Sequence, residues 1–391
     1  MLELAIKIIP TVIALGVLIF VHELGHFLAC RISRVGVEKF SIGFGPEILT
    51  WQGKRTRYSV SLIPFGGFVK PQGETYEEIK RRGQVASGDF ITAPIGSRFL
   101  ILIAGVFMNF LFAYLLFVSV LTLGRPVLST TIGGFVDGYP AALSDLKVGD
   151  QVTHLNDAAV SNWQELTFQI LESSRDVLTF SVNRNGESLR IPVTVQFEEG
   201  KDVFGASRRV PRIGIKPSKD SVIEKYDLNT AYVKAAQFEW RLSALTCEAL
   251  WRLVTGQLSL KTVSGPIGIM SMAGDAAKMG FATFLQFMGL LSVSLAVINI
   301  LPIPALDGGH LFFLVLEVIF RRPVSLSIQE RVTQVGFFFL MGLMVFVVYN
   351  DLVNIGALEK FQTFSGKMIT RFYDQLDQGL TKRIARGIGR R

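Results

Sequence analysis

His22-Glu23-Leu24-Gly25-His26 directly follows residues 8–21, a stretch without a single charged side chain. Histidines at i and i+4 share one face of a helix, so both imidazoles can reach one zinc ion. The glutamate between them stands where it can take a proton from a metal-bound water. Ionisable groups inside a membrane helix are costly unless they face a protein interior or a water-filled cavity. The pentad therefore reads first as a site for chemistry within the bilayer.

Outward from that motif, the 391-residue chain is 49% hydrophobic with a mean hydropathy of +0.40. Four segments are long and apolar enough to span a membrane, at about 7–28, 99–123, 281–306 and 332–349, where about 20 residues suffice. The formal charge of +8 fits basic segments near anionic lipid. No basic helix interleaved with stacking aromatics is present, so nucleic acid is not an expected partner. Cys30 and Cys247 are far apart and read as two inert thiols.

Residues 31–98 contain 11 Lys or Arg, which by the positive-inside rule makes this loop cytoplasmic. The N-terminus then faces outward, and the histidines lie toward the cytoplasmic end of the first span. The second span returns outward, residues 125–280 are external, the third span comes back, and the fourth exits. The basic tail, 351–391, fits this scheme poorly. It reads either as an interfacial amphipathic helix or as a solvated segment.

Within the cytoplasmic loop, 37–49 and 58–69 read as strands broken by Gly43-Phe44-Gly45-Pro46 and Pro64-Phe65-Gly66-Gly67. They are expected to pair as an apolar hairpin dipping into the membrane beside the site. The external segment 125–217 reads as a small α/β domain. A helix opens at Gly138-Tyr139-Pro140 and closes at Leu146-Lys147-Val148-Gly149-Asp150, 152–155 is a strand, and 163–171 is a second helix. A hairpin across Asn185-Gly186 completes it. This order resembles a PDZ domain, although Ser144-Asp145 stands where Ala-Gly is usual. Residues 218–280 form a linker with Phe238, Leu242, Leu245 and Trp251 at helical spacing, suited to the outer interface or to packing on the external domain.

Two histidines do not complete a catalytic zinc site, which takes three protein ligands and a water. Of the other two histidines, His154 belongs to the external domain. Asp307, in Leu306-Asp307-Gly308-Gly309-His310, is expected at the end of the third span and at the matching depth. Pro302, Pro304 and the glycines would let it turn inward. His310 could support it, or simply sit at the interface. Asn299, inside the third span, could donate to an oxyanion or make an interhelical hydrogen bond. For Asn109 in the second span the interhelical reading is preferred.

Together these motifs resemble the site-2 protease family of intramembrane zinc metalloproteases, and within it the bacterial RseP-type branch that cleaves anti-sigma factors. The resemblance is carried by His22–His26, Gly43–Pro46, Pro64–Gly67, Gly265-Pro266-Ile267-Gly268 and Asn299–His310, in that order, over residues 1 to about 350. It implies a polytopic α-helical membrane protein with four transmembrane helices, a membrane-associated β-hairpin and an inserted periplasmic PDZ-like domain. Residues 1–124 and 281–350 would be the two protease halves.

The resemblance further implies one Zn2+ held by His22, His26 and Asp307, Glu23 as base and Asn299 on substrate or oxyanion. The hairpin containing Gly43, Gly45, Gly66 and Gly67 would hold substrate as an added strand. The implied substrate is a single-span membrane protein, an anti-sigma factor or a signal-peptide remnant, first cut outside by another protease. The setting is the bacterial inner membrane, with lipid as a further partner. Two departures stand out: one PDZ-like domain where tandem pairs are usual, and the basic tail. A non-catalytic scaffold binding through its PDZ-like domain is the alternative, and the retained Glu23 argues against it. A transporter is a third reading, but no internal repeat is visible.

Overall fold

In the computed structural model, residues 2–201 and 207–354 are described. The expectations for the tail beyond residue 354 fall outside them. Helix α1 (Leu2–Ile32) carries the histidine pentad. It leads into β1 (Val37–Gln52) and β2 (Arg57–Pro71), an antiparallel pair. Both strands bend at glycines with positive φ, Gly43 and Gly45 in β1 and Gly66 in β2, where other residues would be strained. Because of the bends, 37–42 pairs with both 57–60 and 67–71, while 47–52 pairs with 57–61. The expected hairpin is thus a sheet of four segments, with 66–71 at one edge, against α1.

Helix α2 (Tyr76–Arg82) follows, then α3 (Ile95–Leu123). The unit inserted between the second and third candidate spans contains β3 (Arg125–Leu128), β4 (Ile132–Phe135), β5 (Gln151–Leu155), β6 (Ala158–Ala159), α4 (Trp163–Leu171), β7 (Val177–Arg184) and β8 (Glu187–Thr194). It continues with β9 (Gln196–Lys201), β10 (Ser207–Arg212), β11 (Ile215–Pro217) and β12 (Ser221–Glu224). Its main sheet has the order β6-β5-β7-β8. Leu166, Leu178, Phe180, Val182 and Val152 fill its core, all nearly inaccessible. The helix expected from residue 139 is only a 3-10 turn, Pro140–Leu143. Ser144 stops it: its hydroxyl donates to Ala141 O at 2.8 Å and accepts from Leu146 N at 3.3 Å, a local competition that ends helices.

Helix α5 (Leu228–Val254) is capped by Asp227. It packs on the spanning helices, not chiefly on the inserted unit. Ala231 and Ala235 are fully buried against Phe117 and Leu121 of α3, with Phe238 and Leu242 beside them, while Trp251 is exposed. Then come α6 (Pro266–Lys278), α7 (Phe281–Ile300), α8 (Asp307–Phe320) and α9 (Leu326–Asn354). The Asp351 carboxylate of α9 accepts from the backbone N–H groups of Gly265, Ile267 and Gly268, each at 3.0 Å. It thereby caps α6, whose first turn would otherwise leave its donors unpaired.

Four helices are long and apolar enough to cross a membrane: Ala5–Ile32, Ile95–Leu123, Phe281–Ile300 and Leu326–Val353. Two expectations need correction. The third span ends at Ile300, not at residue 306. The connection to the fourth contains a whole helix, α8, whose apolar stretch, residues 311–320 interrupted by Glu317, is too short to announce as a span.

The Gly149-Asp150 signature of the inserted unit has a physical reason. Asp150 is 1% exposed and pairs bidentately with Arg184, both contacts at 2.7 Å. It also accepts from Lys147 N at 2.8 Å. The Arg184 guanidinium holds the Asp150 carboxyl below the usual carboxylate range. A depressed folded-state pKa contributes stability above the unfolded value of about 4 that is lost as pH falls through the folded one. Asp150→Ala is therefore expected to lower the inserted unit's stability by about 3 kcal/mol and to remove this acid-sensitive component. Thermal melts of the intact protein between pH 7 and pH 3 check both outcomes.

Candidate metal centre

His22 and His26 lie one turn apart on α1 and face α3. Glycine at two positions permits that approach. A Cβ on Gly25 would come 2.8 Å from Met108 Cγ, and one on Gly105 would come 2.7 Å from His22 Cε1. Both are closer than real contacts allow, so α1 and α3 meet at backbone distance where the imidazoles sit. Sequence reading missed Gly105. Its signal is a glycine four residues before Asn109 on an otherwise apolar helix, hence on the same face.

Asp307 arrives from a different element. The chain leaves α7 at Ile300, turns through Pro302 and Pro304, and starts α8 at Asp307 itself. Ala305 takes a left-handed φ of 77°. Gly308 and Gly309 have no room for side chains: a Cβ would meet Ile300 O at 2.5 Å and Ile303 O at 2.6 Å respectively. A helix N-terminus favours a carboxylate in its first turn. At the far end of α8, Glu317 receives two bonds from Arg98 of α3, at 2.9 and 2.6 Å. Each side chain of this pair is 13% exposed.

The three groups converge. Asp307 Oδ2 lies 3.1 Å from His22 Nε2 and 3.4 Å from His26 Nε2, and the two Nε2 atoms are 3.2 Å apart. Among the described residues these three form the one cluster of metal-competent side chains. Ligands about 2.0–2.1 Å from a tetrahedral zinc stand about 3.3 Å from one another, so the donor set fits that ion. Asp307 Oδ2 is buried without a hydrogen-bond partner, as befits an oxygen meant for a metal.

The outer nitrogens are fixed as metal-ligating histidines require. His26 Nδ1 lies 2.8 Å from Ile101 O, so it carries the proton and leaves Nε2 free to ligate. His22 Nδ1 lies 3.1 Å from the Asn109 amide. A ligating Nε2 makes Nδ1 a donor, which needs the amide oxygen opposite it. Asn109 Oδ1 is buried and otherwise unpartnered, and turning the amide satisfies both groups. The interhelical reading of Asn109 holds: its side chain joins α3 to His22 of α1, and its backbone oxygen accepts from Ser292 Oγ of α7 at 2.8 Å.

Glu23 sits between the histidines with Oε2 2.8 Å from Val69 N of β2. The Asn299 amide is 3.5 Å from His22 Nε2, and Asn299 is buried. Gly67 lies beside Glu23 on β2, whereas Gly43, Gly45 and Gly66 serve as the strand bends. His310 sits half-buried one turn into α8. His154 lies in β5, outside the cluster. A further carboxyl lies near the site: Glu74, in the loop after β2, feels His26 and Asp307, and burial pushes it up to about 7. Cys30 and Cys247 are both free thiols.

Comparison with known proteins agrees with this geometry. Residues 10–343 match the model of Peptidase family M50. "Putative zinc metalloprotease Cj1068" of Campylobacter jejuni subsp. jejuni is 32% identical over 90% of this chain and 94% of its own length. "Metalloprotease MmpA" of Caulobacter vibrioides is 30% identical over 90% and 96%. A solved PDZ domain of an SdrC-like protein from Listeria innocua overlays 24% of this chain and 96% of its own, at 18% identity and a TM-score of 0.19. The fold and the comparisons define a multi-pass membrane zinc metalloprotease. The chain belongs to peptidase family M50, the site-2 proteases.

Gly105→Ala is expected to abolish zinc binding by driving α3 away from both imidazoles. Asn109→Ala is expected to weaken it about 10- to 100-fold. Metal content and competition with a chelator, measured on the purified variants, check both.

Proposed function

We propose that His22, His26 and Asp307 hold the zinc, that Glu23 is the general base, and that the substrate is a single-span membrane protein cut in or near its spanning segment. The observation that carries this reading is the closed triangle of Nε2, Nε2 and Oδ2 atoms, with Glu23 between the two histidines. Bound zinc supplies a Lewis acid that lowers the pKa of a water and polarises the scissile carbonyl. The rest falls to the protein. Glu23 takes the proton of the attacking water and returns it to the leaving amine. Supporting an oxyanion role for Asn299 is its buried amide beside His22. Ile101 and Asn109 keep each imidazole in the tautomer that ligates.

A transmembrane helix hides its peptide bonds in its own hydrogen bonds and must unwind before hydrolysis. Strand addition to an edge returns the bonds it loses. The edge formed by residues 66–71, next to Glu23, supports that role for the hairpin, including Gly67. The basic loop 31–98 supports a cytoplasmic-side site and an external, periplasmic PDZ-like unit in the bacterial inner membrane. Within this reading the substrate is an anti-sigma factor, or a signal-peptide remnant, already shortened outside by a first protease.

The test compares wild type with Glu23→Gln on a single-span substrate in detergent, with zinc quantified in both. The expected outcome is equal zinc and a 10²- to 10⁴-fold loss of cleavage. Equal cleavage by both would remove Glu23 from the chemistry. Zinc lost from His22→Ala and from Asp307→Ala, but kept in His310→Ala, would establish the ligands.

A further inference from the structure

Glu23 is not idle in the resting enzyme: its carboxylate occupies a strand edge. Over 39–42 and 67–70 the register is regular, with Lys39 opposite Lys70, Phe40 opposite Val69, Ser41 opposite Phe68 and Ile42 opposite Gly67. Val69 N–H donates 2.8 Å to Glu23 Oε2, so it points away from β1. In an antiparallel pair the N–H and C=O of one residue point the same way, and the direction alternates along the strand. Val69 and Gly67 therefore turn both backbone groups to the free side, while Phe68 and Lys70 hold the ladder.

That free side carries Glu23. A Cβ on Gly67 would project from the face of the sheet and stand 3.2 Å from Ile19 Cγ2 and 3.5 Å from Glu23 Cγ, so α1 lies on the face beside this edge and the Glu23 carboxylate reaches round to occupy it. Edge N–H groups away from water need a partner, and here that partner is the carboxylate needed for catalysis. We propose that the Val69 N–H is the donor that recognises the substrate backbone, and that Glu23 holds it as a latch until an extended substrate strand takes its place.

This rests on the protease reading above and adds an order of events to it. A carbonyl of the incoming strand displaces the Glu23 carboxylate from Val69 N–H, and the Gly67 and Val69 carbonyls accept from the strand's N–H groups. Glu23 then loses its partner and becomes free to face the water. Only unwound peptide can do this, because a helical segment has no free carbonyl in register. Selection for an extended backbone and release of the base become one event, largely independent of side-chain sequence.

The experiment uses the full chain in detergent, freed of metal, at fixed pH. The infrared band of the Glu23 carboxyl is isolated as wild type minus Glu23→Gln. The probe is a blocked, fluorescently labelled decapeptide of alternating Val and Thr, and its comparator is N-methylated at alternate residues and so unable to pair as a strand. Binding of each is followed by anisotropy. The expected result is a shift of the band on binding of the first peptide and none with the comparator.

Val69→Pro removes one outward N–H, which an edge tolerates. Its resting band should already lie at the shifted position, and its affinity for the first peptide should fall about tenfold. Val69→Ala, which keeps the N–H, should retain the wild-type band. The idea is overturned if the peptide fails to bind, if it binds with the wild-type band unmoved, or if a folded Val69→Pro keeps the wild-type band. The wild-type peptide response stands alone should Val69→Pro not fold. No hydrolysis enters this measurement, so failure of the latch is separable from failure of the protease reading, which the zinc-loaded cleavage assay tests.

Discussion

Three electron-pair donors aimed at one point among apolar helices are the constraint on which the rest depends. The inward atoms of two imidazoles and one carboxylate stand 3.1–3.4 Å apart. With both imidazoles neutral the set would carry a net negative charge, which a cation bound between them would offset. Each neighbouring feature follows from that demand. Gly25 and Gly105 bring two helix backbones close enough that Ile101 O and the Asn109 amide reach the outer imidazole nitrogens. A side chain at either glycine would separate both ligands from the groups that orient them.

The third ligand explains the break between α7 and α8. Had α7 continued as regular helix, residue 307 would lie about 10 Å beyond Ile300 along the axis. Instead the two prolines remove helical hydrogen bonds. Gly308 and Gly309 let the chain fold back onto the carbonyls of Ile300 and Ile303. Asp307 thereby becomes the first residue of a new helix and gains its N-terminal dipole. The same demand for a polar partner inside an apolar setting produces the bond between Glu23 and the β2 edge. The hairpin and α1 are thus joined through the very group proposed as the base.

The residues legible in advance were those whose signal is local. The i and i+4 histidines, the long uncharged runs, the Pro and Gly breaks before Asp307 and the alternating strands of the inserted unit depend only on near neighbours, and the elements appear close to where the pattern puts them. What escaped depends on partners distant in sequence. Asn109 looks like any polar residue in a membrane helix until α1 is laid against it. Gly105 has a reason only once His22 occupies the space of its absent Cβ. Helix α8 was hidden because its apolar run is too short for a span and begins where a turn was already assigned. Trp251 shared a helical period with Phe238 and Leu242 yet faces outward, since the face that packs is decided by Ala231 and Ala235, which let α5 lie close on α3.

The last span shows how Asp307 is held from both sides. At one end of α8, Glu317 is clamped by Arg98 of α3, a nearly buried bidentate pair whose loss would leave an unpaired charge. At the other end, α9 presses on the turn before Asp307. A Cβ on Gly336 would come 2.5 Å from both Pro304 Cβ and Pro304 O. Helix α9 is fixed elsewhere by Asp351, whose carboxylate spans three N–H groups at the start of α6. Helix α6 in turn lies on the N-terminal part of α1, with Gly274 against Lys7. A chain of polar caps and side-chain-free contacts thus runs from α1 through α6 and α9 to the Pro304 turn. The two helices that carry the donors are tied together at a distance from the site as well as beside it, and that tie lets three donors from two helices share one point.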